Sequence, residues 1–408
     1  MNLPVGIMHA LADLDFRYCT PIQAEILHKT LKGDDAFGQA QTGTGKTAAF
    51  LITILNHFQQ NKIKDSRPKG SPRALIVAPT RELVIQIARD AVELAKYYQL
   101  NIVTVFGGVD YRRQRKQLTE KPVDIIVATP GRLLDFNRNR EINLRRVEIL
   151  VLDEADRMLD MGFIPDVRRI MRNLPDKSQR QTLLFSATLT NDVKYLGSTW
   201  TTDPHVVEIE PEQVAVDTVD QKVYIVTTEQ KFALLYNTII SKQMERAIIF
   251  CNRRDQARDL VDLLSRYEMS CALLSGDVQQ RKRMKVLDNF KAGKIKFMVA
   301  TDVAGRGIHV EGLNHVINYT LPQDAEDYVH RIGRTGRAGQ NGTSISFACE
   351  NDSHYIPAIE ELLGNELICD YPDENLLMEP PPPLLPPKPV ERRPVQRNRS
   401  RSSRPRRR

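Results

Sequence analysis

Residues 40–47 read AQTGTGKT, and residues 48–58 continue as the apolar helical run AAFLITILNHF. With alanine in its first glycine position, the octet fits the phosphate-loop pattern, a glycine-rich turn that opens a helix. Gly43 and Gly45 let backbone N–H groups close around phosphates at a helix N-terminus, where the helix dipole favours anions. Lys46 is then placed to meet the β and γ phosphates, and the Thr47 hydroxyl to ligate magnesium.

Outward from that turn, short β-branched runs alternate with longer amphipathic stretches from about residue 35 to 350. This is the pattern of parallel sheets covered by helices, and it sets the fold class as α/β. Strands are expected at 74–78 (ALIVA), 102–106 (IVTVF), 124–128 (DIIVA), 148–152 (EILVL) and 182–185 (TLLF). A second set is expected at 247–251 (AIIFC), 271–274 (CALL), 296–300 (KFMVA) and 315–319 (HVINY). Between the sets, EIEPEQVAVDTVD is polar, carries a proline and lacks helical periodicity, which reads as a linker. The expected division is a first domain at 1–208, a linker at 209–220, a second domain at 221–370 and a disordered tail at 371–408. A chain of 408 residues suits two cores better than one.

The apolar runs are far shorter than the roughly 20 residues of a membrane helix. The first residues, MNLPVGIMHALADLD, lack the basic and apolar regions of a signal peptide, so a cytoplasmic protein is expected. Five scattered cysteines have no metal-ligand spacing and should be reduced and mostly buried. Lys388 and nine arginines against Glu391 give the stretch 388–408 a formal charge of +9, while the whole chain carries +7. The basic character therefore belongs to the tail, and the remaining body at −2 is not a basic nucleic-acid binder by net charge.

A second motif completes the first. VLDEAD at 151–156 is an apolar strand that delivers adjacent carboxylates at its C-terminal end. Asp153 suits magnesium, and Glu154 suits orienting and deprotonating an attacking water. Asp156 reads as a helix cap or solvated loop residue. Ligands of open parallel sheets collect outside the carboxyl ends of the strands. Here those ends run into PTRE (79–82), TPGR (129–132), SAT (186–188), NRR (252–254) and TDVAGRG (301–307). The second half lacks a GK[ST] turn and should not bind a nucleotide alone, but HRIGRTGR at 330–337 could supply arginines to a γ-phosphate from a facing domain.

In this order the motifs resemble those of the DEAD-box ATP-dependent RNA helicases, over roughly residues 5–350. The resemblance implies two tandem RecA-like domains, ATP with Mg2+ in the cleft between them, and single-stranded RNA or a short duplex across both. It implies phosphate-loop contacts from Gln41, Thr42, Gly43, Thr44, Gly45, Lys46 and Thr47. In FRYCTPIQ (16–23) it implies that Phe16 stacks on adenine and Gln23 bonds its edge. Ser186 and Thr188 would couple hydrolysis to domain movement by bonding the DEAD carboxylates, with His330 touching the same network. Arg334 and Arg337 would meet the γ-phosphate. RNA would face Pro79, Thr80, Arg81, Gly108, Thr129 and Arg132 in the first domain, and Asn252, Gly276, Gln280, Arg283, Thr301 and Arg306 in the second. Such contacts to phosphate and 2′-hydroxyl prefer RNA without reading sequence.

Two departures stand out. His309 replaces the family's aspartate at the position expected to meet the ATP ribose, and an aromatic residue the family carries upstream of Phe16 is not in the sequence as given, so a weaker adenine site or an earlier start is expected. RGIH (306–309), ACEN (348–351), PAIEELLG (357–364) and the Pro/Arg tail resemble a bacterial subgroup of the family. That likeness implies local RNA unwinding in mRNA decay as a monomer, with RNase E and other degradosome components as partners through the second domain. An ATP-gated RNA clamp or assembly scaffold would use the same residues. Deleting residues 388–408 should weaken RNA binding and flatten its salt dependence, because each single-strand phosphate contact adds about −0.7 to the log–log slope. An unchanged slope in a salt titration would assign the tail to another surface.

Overall fold

The structure, a computed structural model, describes residues 3–40, 43–62, 67–209, 219–276, 278–302, 313–336 and 342–386. Among them, β1 (Ala36–Gln39), β2 (Ala74–Val77), β3 (Ile102–Val105), β4 (Ile125–Ala128), β5 (Ile149–Leu152), β6 (Gln181–Ser186) and β7 (His205–Glu208) form one parallel sheet in the order β3-β4-β2-β5-β6-β1-β7. A second parallel sheet holds β8 (Val219–Ile225), β9 (Ala247–Phe250), β10 (Cys271–Leu274), β11 (Phe297–Ala300), β12 (His315–Asn318), β13 (Gly342–Ala348) and β14 (Cys369–Asp370), in the order β10-β11-β9-β12-β13-β8-β14. Adding seven to each number of the first order gives the second. The chain builds one topology twice, as two RecA-like units.

Strands β2, β4 and β5 are buried along their whole length because helices cover both faces of the sheet. Alternate residues feed two layers. Ile76, Val127, Val151 and Phe185 pack under α1 (Val5–Asp13), α2 (Pro21–Thr30), α3 (Lys46–Gln60) and α4 (Arg81–Leu94). Val77, Ile126, Leu150 and Leu184 pack under α5 (Tyr111–Glu120), α6 (Pro130–Arg138), α7 (Ala155–Asp160), α8 (Ile164–Met171) and α9 (Asn191–Trp200). In the second domain α10 (Lys231–Ser241) and α11 (Arg254–Arg266) cover Ile249, Val299 and Ile317. On the other face α12 (Gln280–Lys291) covers Ile248 and Met298, while α13 (Ala325–Ile332) and α14 (Ile356–Leu363) cover Val223 and Ala348.

The structure departs from the sequence reading in three places. Val219 and Asp220, expected in the linker, begin β8, where pairing with Gly342 and Thr343 draws them into the sheet; residues 210–218 lie outside the described residues. Residues 371–386, expected in a disordered tail, are described with the second domain: α15 (Glu374–Leu377) sets Leu376 and Leu377 against the α10 layer, and residues 387–408 lie outside the described residues. Two apolar side chains close together in a polar stretch suffice to anchor it. Only Cys251 and Cys349 of the five free cysteines are buried, and burial pushes the Cys251 thiol up to about 12.

Phe185 is fully buried, 5.6 Å from the Phe50 ring, and lies so close to β1 that a Cβ on Gly38 would sit 3.0 Å from it. Phe185→Ala should therefore destabilise the first domain by about 3–5 kcal/mol. Thermal unfolding reads this directly, and an unshifted first-domain transition would contradict the packing described.

Candidate active site and nucleic-acid interface

Strand order decides which motifs can meet. β5, β6 and β1 are neighbours, so their carboxyl ends bring together Asp153–Asp156, Ser186–Thr188 and the turn at 40–47. Gly43 (φ 92°) and Gly45 (φ 93°) take the left-handed backbone that the turn requires. A Cβ on Gly45 would lie 2.3 Å from the Gln23 amide nitrogen. Gln23 is buried and closes the capping box of α2: its Oε1 accepts from the Thr20 N–H at 3.0 Å, and its Nε2 donates to the Gly45 carbonyl at 3.0 Å. The amide expected to read adenine is thus bonded to the phosphate loop and its own helix start. Phe16 remains half exposed.

Lys46 is buried and donates to the Ala40 carbonyl across the turn. Burial pushes Asp153 up to about 7, with Lys46 opposing the shift and Glu154 adding to it. A buried carboxylate beside a lysine, near a threonine at a helix start, is a hard-oxygen donor set of the kind magnesium takes. Glu154 sits at φ 54° as the N-cap of α7, and both its oxygens accept from Arg157 Nη1, at 3.1 and 2.9 Å. Arg157 is almost fully buried, and its Nη2 has no hydrogen-bond partner among the described residues.

Asp156 is no solvated cap. It is buried, its Oδ2 accepts from the Ala187 and Thr188 N–H groups at 2.8 and 3.0 Å, and its own N–H donates to Ser186 Oγ at 3.3 Å. Ser186 and Thr188 therefore bond the last carboxylate of the motif, not Asp153 or Glu154. His330 of α13 is partly buried; its Nδ1 has no hydrogen-bond partner among the described residues and lies 3.8 Å from Asp327 Oδ1. Burial holds its pKa below the ordinary value, with Arg157 and Arg334 acting the same way. Arg334 is buried and donates from Nε to the His330 carbonyl at 3.1 Å. Arg331, between them, is spent inside the second domain on Asp302 and Asn252. Gln41, Thr42, Arg306, His309 and Arg337 lie outside the described residues.

The carboxyl ends of β3, β4 and β2, on the other side of the sheet, carry the second group of motifs. Pro79 and Thr80 are buried at the end of β2, where Thr80 caps α4. Arg81 lies across Gly108 (φ 83°), where a Cβ would meet its Nη1 at 2.1 Å. Thr129 opens α6, and Arg132 lies over the Tyr111 ring at 5.5 Å with Nη1 buried and without a hydrogen-bond partner among the described residues. Burial lowers the Arg81 pKa, and the nearby charges of Arg283 and Arg132 add to that. Crowded guanidiniums with an unpartnered N–H are a setting for an anion such as a backbone phosphate.

The second domain repeats this arrangement after β9, β10 and β11, at Asn252, Gly276 and Thr301. Arg254 opens α11 as Arg81 opens α4, and lies 3.4 Å from where a Gly276 Cβ would be. The sequence reading passed over Arg254; the repeated topology is the signal that finds it. The Asn252 side chain, expected on the RNA, donates to the Leu321 carbonyl and accepts from Arg331.

Gln280 and Arg283, also expected on the RNA, are buried between the domains. Gln280 Nε2 and Arg283 Nε donate to Glu82 Oε1 of the first domain at 3.1 and 2.8 Å. Further along α4, burial pushes Asp90 up to about 6, with Lys291 of α12 opposing the shift. Glu326 of α13 is raised by burial and by Asp160 and Asp156 of α7. The domains thus meet along α4–α12 and α7–α13.

Comparison with known proteins fits this geometry. The family described as DEAD/DEAH box helicase matches residues 20–196, and the helicase conserved C-terminal domain matches 230–339. The ATP-dependent RNA helicase RhlB of Pseudomonas syringae pv. tomato is 58% identical over 376 residues, which cover 92% of this chain and 95% of that protein. The chain belongs to the DEAD-box ATP-dependent RNA helicases.

As a member of that family it is an ATP-hydrolysing enzyme that binds RNA. The structure of S. cerevisiae Dbp5 bound to RNA and ADP BeF3 superposes with a TM-score of 0.81 at 30% identity, over 91% of this chain and 95% of that one. A DEAD box protein from Methanococcus jannaschii, 33% identical over 91% of this chain and 98% of its own, reaches 0.51. No helix among the described residues is long and apolar enough to cross a membrane.

Arg283→Ala would strand the Glu82 carboxylate in a closed interface, a loss of about 3–5 kcal/mol. RNA-stimulated hydrolysis should fall on the order of 100-fold or more, while nucleotide binding to the first domain is kept. Unchanged RNA stimulation would remove Glu82–Arg283 from the account of closure.

Proposed function

We propose that ATP and RNA together close the two domains, that the closed form locally separates short or structured RNA, and that hydrolysis reopens it. The observation that carries this reading is the buried contact of Glu82 with Gln280 and Arg283, which joins the helix after the Pro79–Arg81 turn to the facing domain. Lys46 would hold the β and γ phosphates, with the N–H groups of the turn at 43–47 around them. Magnesium, held through Thr47 and Asp153, would neutralise charge on those phosphates. Glu154, held in place by Arg157, would orient the attacking water and take its proton. Arg334 and Arg337 would face the phosphate from the second domain.

Asp156 would report on the state of the site, since one carboxylate ties α7 to the turn after β6 and faces His330 of α13. On the nucleic-acid side, Arg81, Arg132 and Arg254 would hold phosphates, and Gly108 and Gly276 would let the backbone of the strand lie close. Because these contacts are to the sugar–phosphate chain, one strand would be gripped whatever its sequence. The likeness to proteins named RhlB supports a role in bacterial mRNA decay, as a cytoplasmic monomer working with RNase E in a degradosome.

Glu154→Gln should still bind ATP and RNA but not turn over, so RNA complexes accumulate in ATP. Dissociation of labelled RNA measures this: release at the unmodified rate would sink the assigned base role. Stimulation by DNA equal to that by RNA would sink the substrate class.

A further inference from the structure

The face of the second domain covered by α10 and α11, opposite the α12 face that meets the first domain, carries three half-buried rings. Phe232 and Tyr236 of α10 meet Tyr267, just past α11, with ring centroids 5.5 Å (Phe232–Tyr267) and 4.9 Å (Tyr236–Tyr267) apart. The segment leaving α15 runs from the first of these helices to the second. At one end Asn237, beside Tyr236, donates from Nδ2 to the Leu376 and Met378 carbonyls at 3.0 and 2.8 Å. At the other end Arg266, beside Tyr267, accepts the Leu385 N–H on its carbonyl at 3.0 Å and donates from Nε to the Leu385 carbonyl at 3.2 Å. In between, burial raises the Tyr267 phenol pKa, and Tyr236 and Glu379 add to that.

The shape of the segment follows from its composition. Residues 380–383 are four prolines, whose rings fix φ near −65°. Pro380, Pro381 and Pro382 each precede another proline, which forces ψ to extended values. The result is a left-handed polyproline helix with three residues per turn. Burial repeats with that period: Pro380 and Pro383 are partly buried, while Pro381 and Pro382 are exposed. One edge of the helix therefore rests on the domain. The fit is shallow, since Met378, Leu384 and Leu385 remain 63%, 68% and 47% exposed. A segment held by one edge and a few end bonds can be exchanged.

We propose that the Phe232–Tyr236–Tyr267 face, bounded by Asn237 and Arg266, is a polyproline-binding groove for a proline-rich segment of a partner protein, kept occupied in cis by residues 379–386. Aromatic grooves take polyproline helices well because the ligand is already ordered. The matching partner segment carries two prolines three residues apart, followed by apolar residues that can cover more of the rim than Leu384 and Leu385 do. It must displace a local copy whose tether gives it an effective concentration on the order of millimolar. Displacement would untie residues 379–386 from this face, and the arginine-rich stretch at 388–408 follows them in the sequence, which links partner binding to the reach of the tail.

The test uses the full chain and a labelled peptide of its own residues 378–388, MEPPPPLLPPK, followed by fluorescence anisotropy. The unmodified chain should bind it weakly. A full-length variant with Pro380→Ser and Pro383→Ser, whose own segment no longer holds the groove, should bind about tenfold tighter or better. Adding Tyr267→Ala to that variant should abolish binding while RNA-stimulated hydrolysis is retained. A peptide with serine at the positions of Pro380 and Pro383 should not bind, a control that leaves the protein untouched. Equal binding to the two chains, or equal binding of the two peptides, would overturn the proposal. A concentration-dependent dimer dissolved by the two proline substitutions would also overturn it, assigning the groove to a second copy of the chain.

Discussion

One carboxylate, Glu82, is where the two domains become one machine. It follows Arg81 at the start of α4 and accepts from both Gln280 and Arg283 of α12 in a buried setting. An ion pair of this kind adds little net stability, because desolvation offsets attraction, but either partner left alone is costly. It therefore works as a register: the charges are tolerable together and intolerable in a half-formed interface. Along the same two helix pairs Asp90 of α4 feels the opposite charge of Lys291 of α12, whereas Glu326 of α13 feels the like charge of Asp160 of α7, which favours its protonated form.

The sheet order explains how one closure serves two ligands. The carboxyl ends of β5, β6 and β1 hold the carboxylates and the phosphate turn, and those of β3, β4 and β2 hold Arg81, Gly108 and Arg132. A single rigid sheet thus separates the two groups while fixing their distance. The second domain repeats the order, so Arg254 and Gly276 stand where Arg81 and Gly108 stand in the first. Closing one unit onto the other aligns both halves at once.

Much of this was legible in the sequence because parallel strands buried on both faces are continuous apolar runs. ALIVA, DIIVA, EILVL, AIIFC and KFMVA could be read directly. Strands that carry glycine or polar residues could not: β1 contains Gly38, and β13 buries Ser344 and Ser346, the latter satisfied by Asn318. The motifs located the site, but residue types alone did not say which polar groups were already spent. Gln23, Asn252, Gln280 and Arg283 have the chemistry to meet a ligand, and in this structure they bond Gly45, Leu321, Arg331 or Glu82. Asp156 went the other way, reading as a cap or loop residue while it bonds the turn after β6, and Arg157, which the sequence reading passed over, holds Glu154. The order of 371–386 was hidden because Leu376 and Leu377 are too few to make a period.

The central claim is that closure across Glu82 and Arg283 needs ATP and RNA together. Energy transfer between one dye on the exposed side of α5 and another on α14, in the full chain, measures it most directly. The account predicts a shorter distance only when RNA and a non-hydrolysable ATP analogue are both present, and no shortening for Arg283→Ala. A distance that is the same with neither, either or both ligands would contradict it.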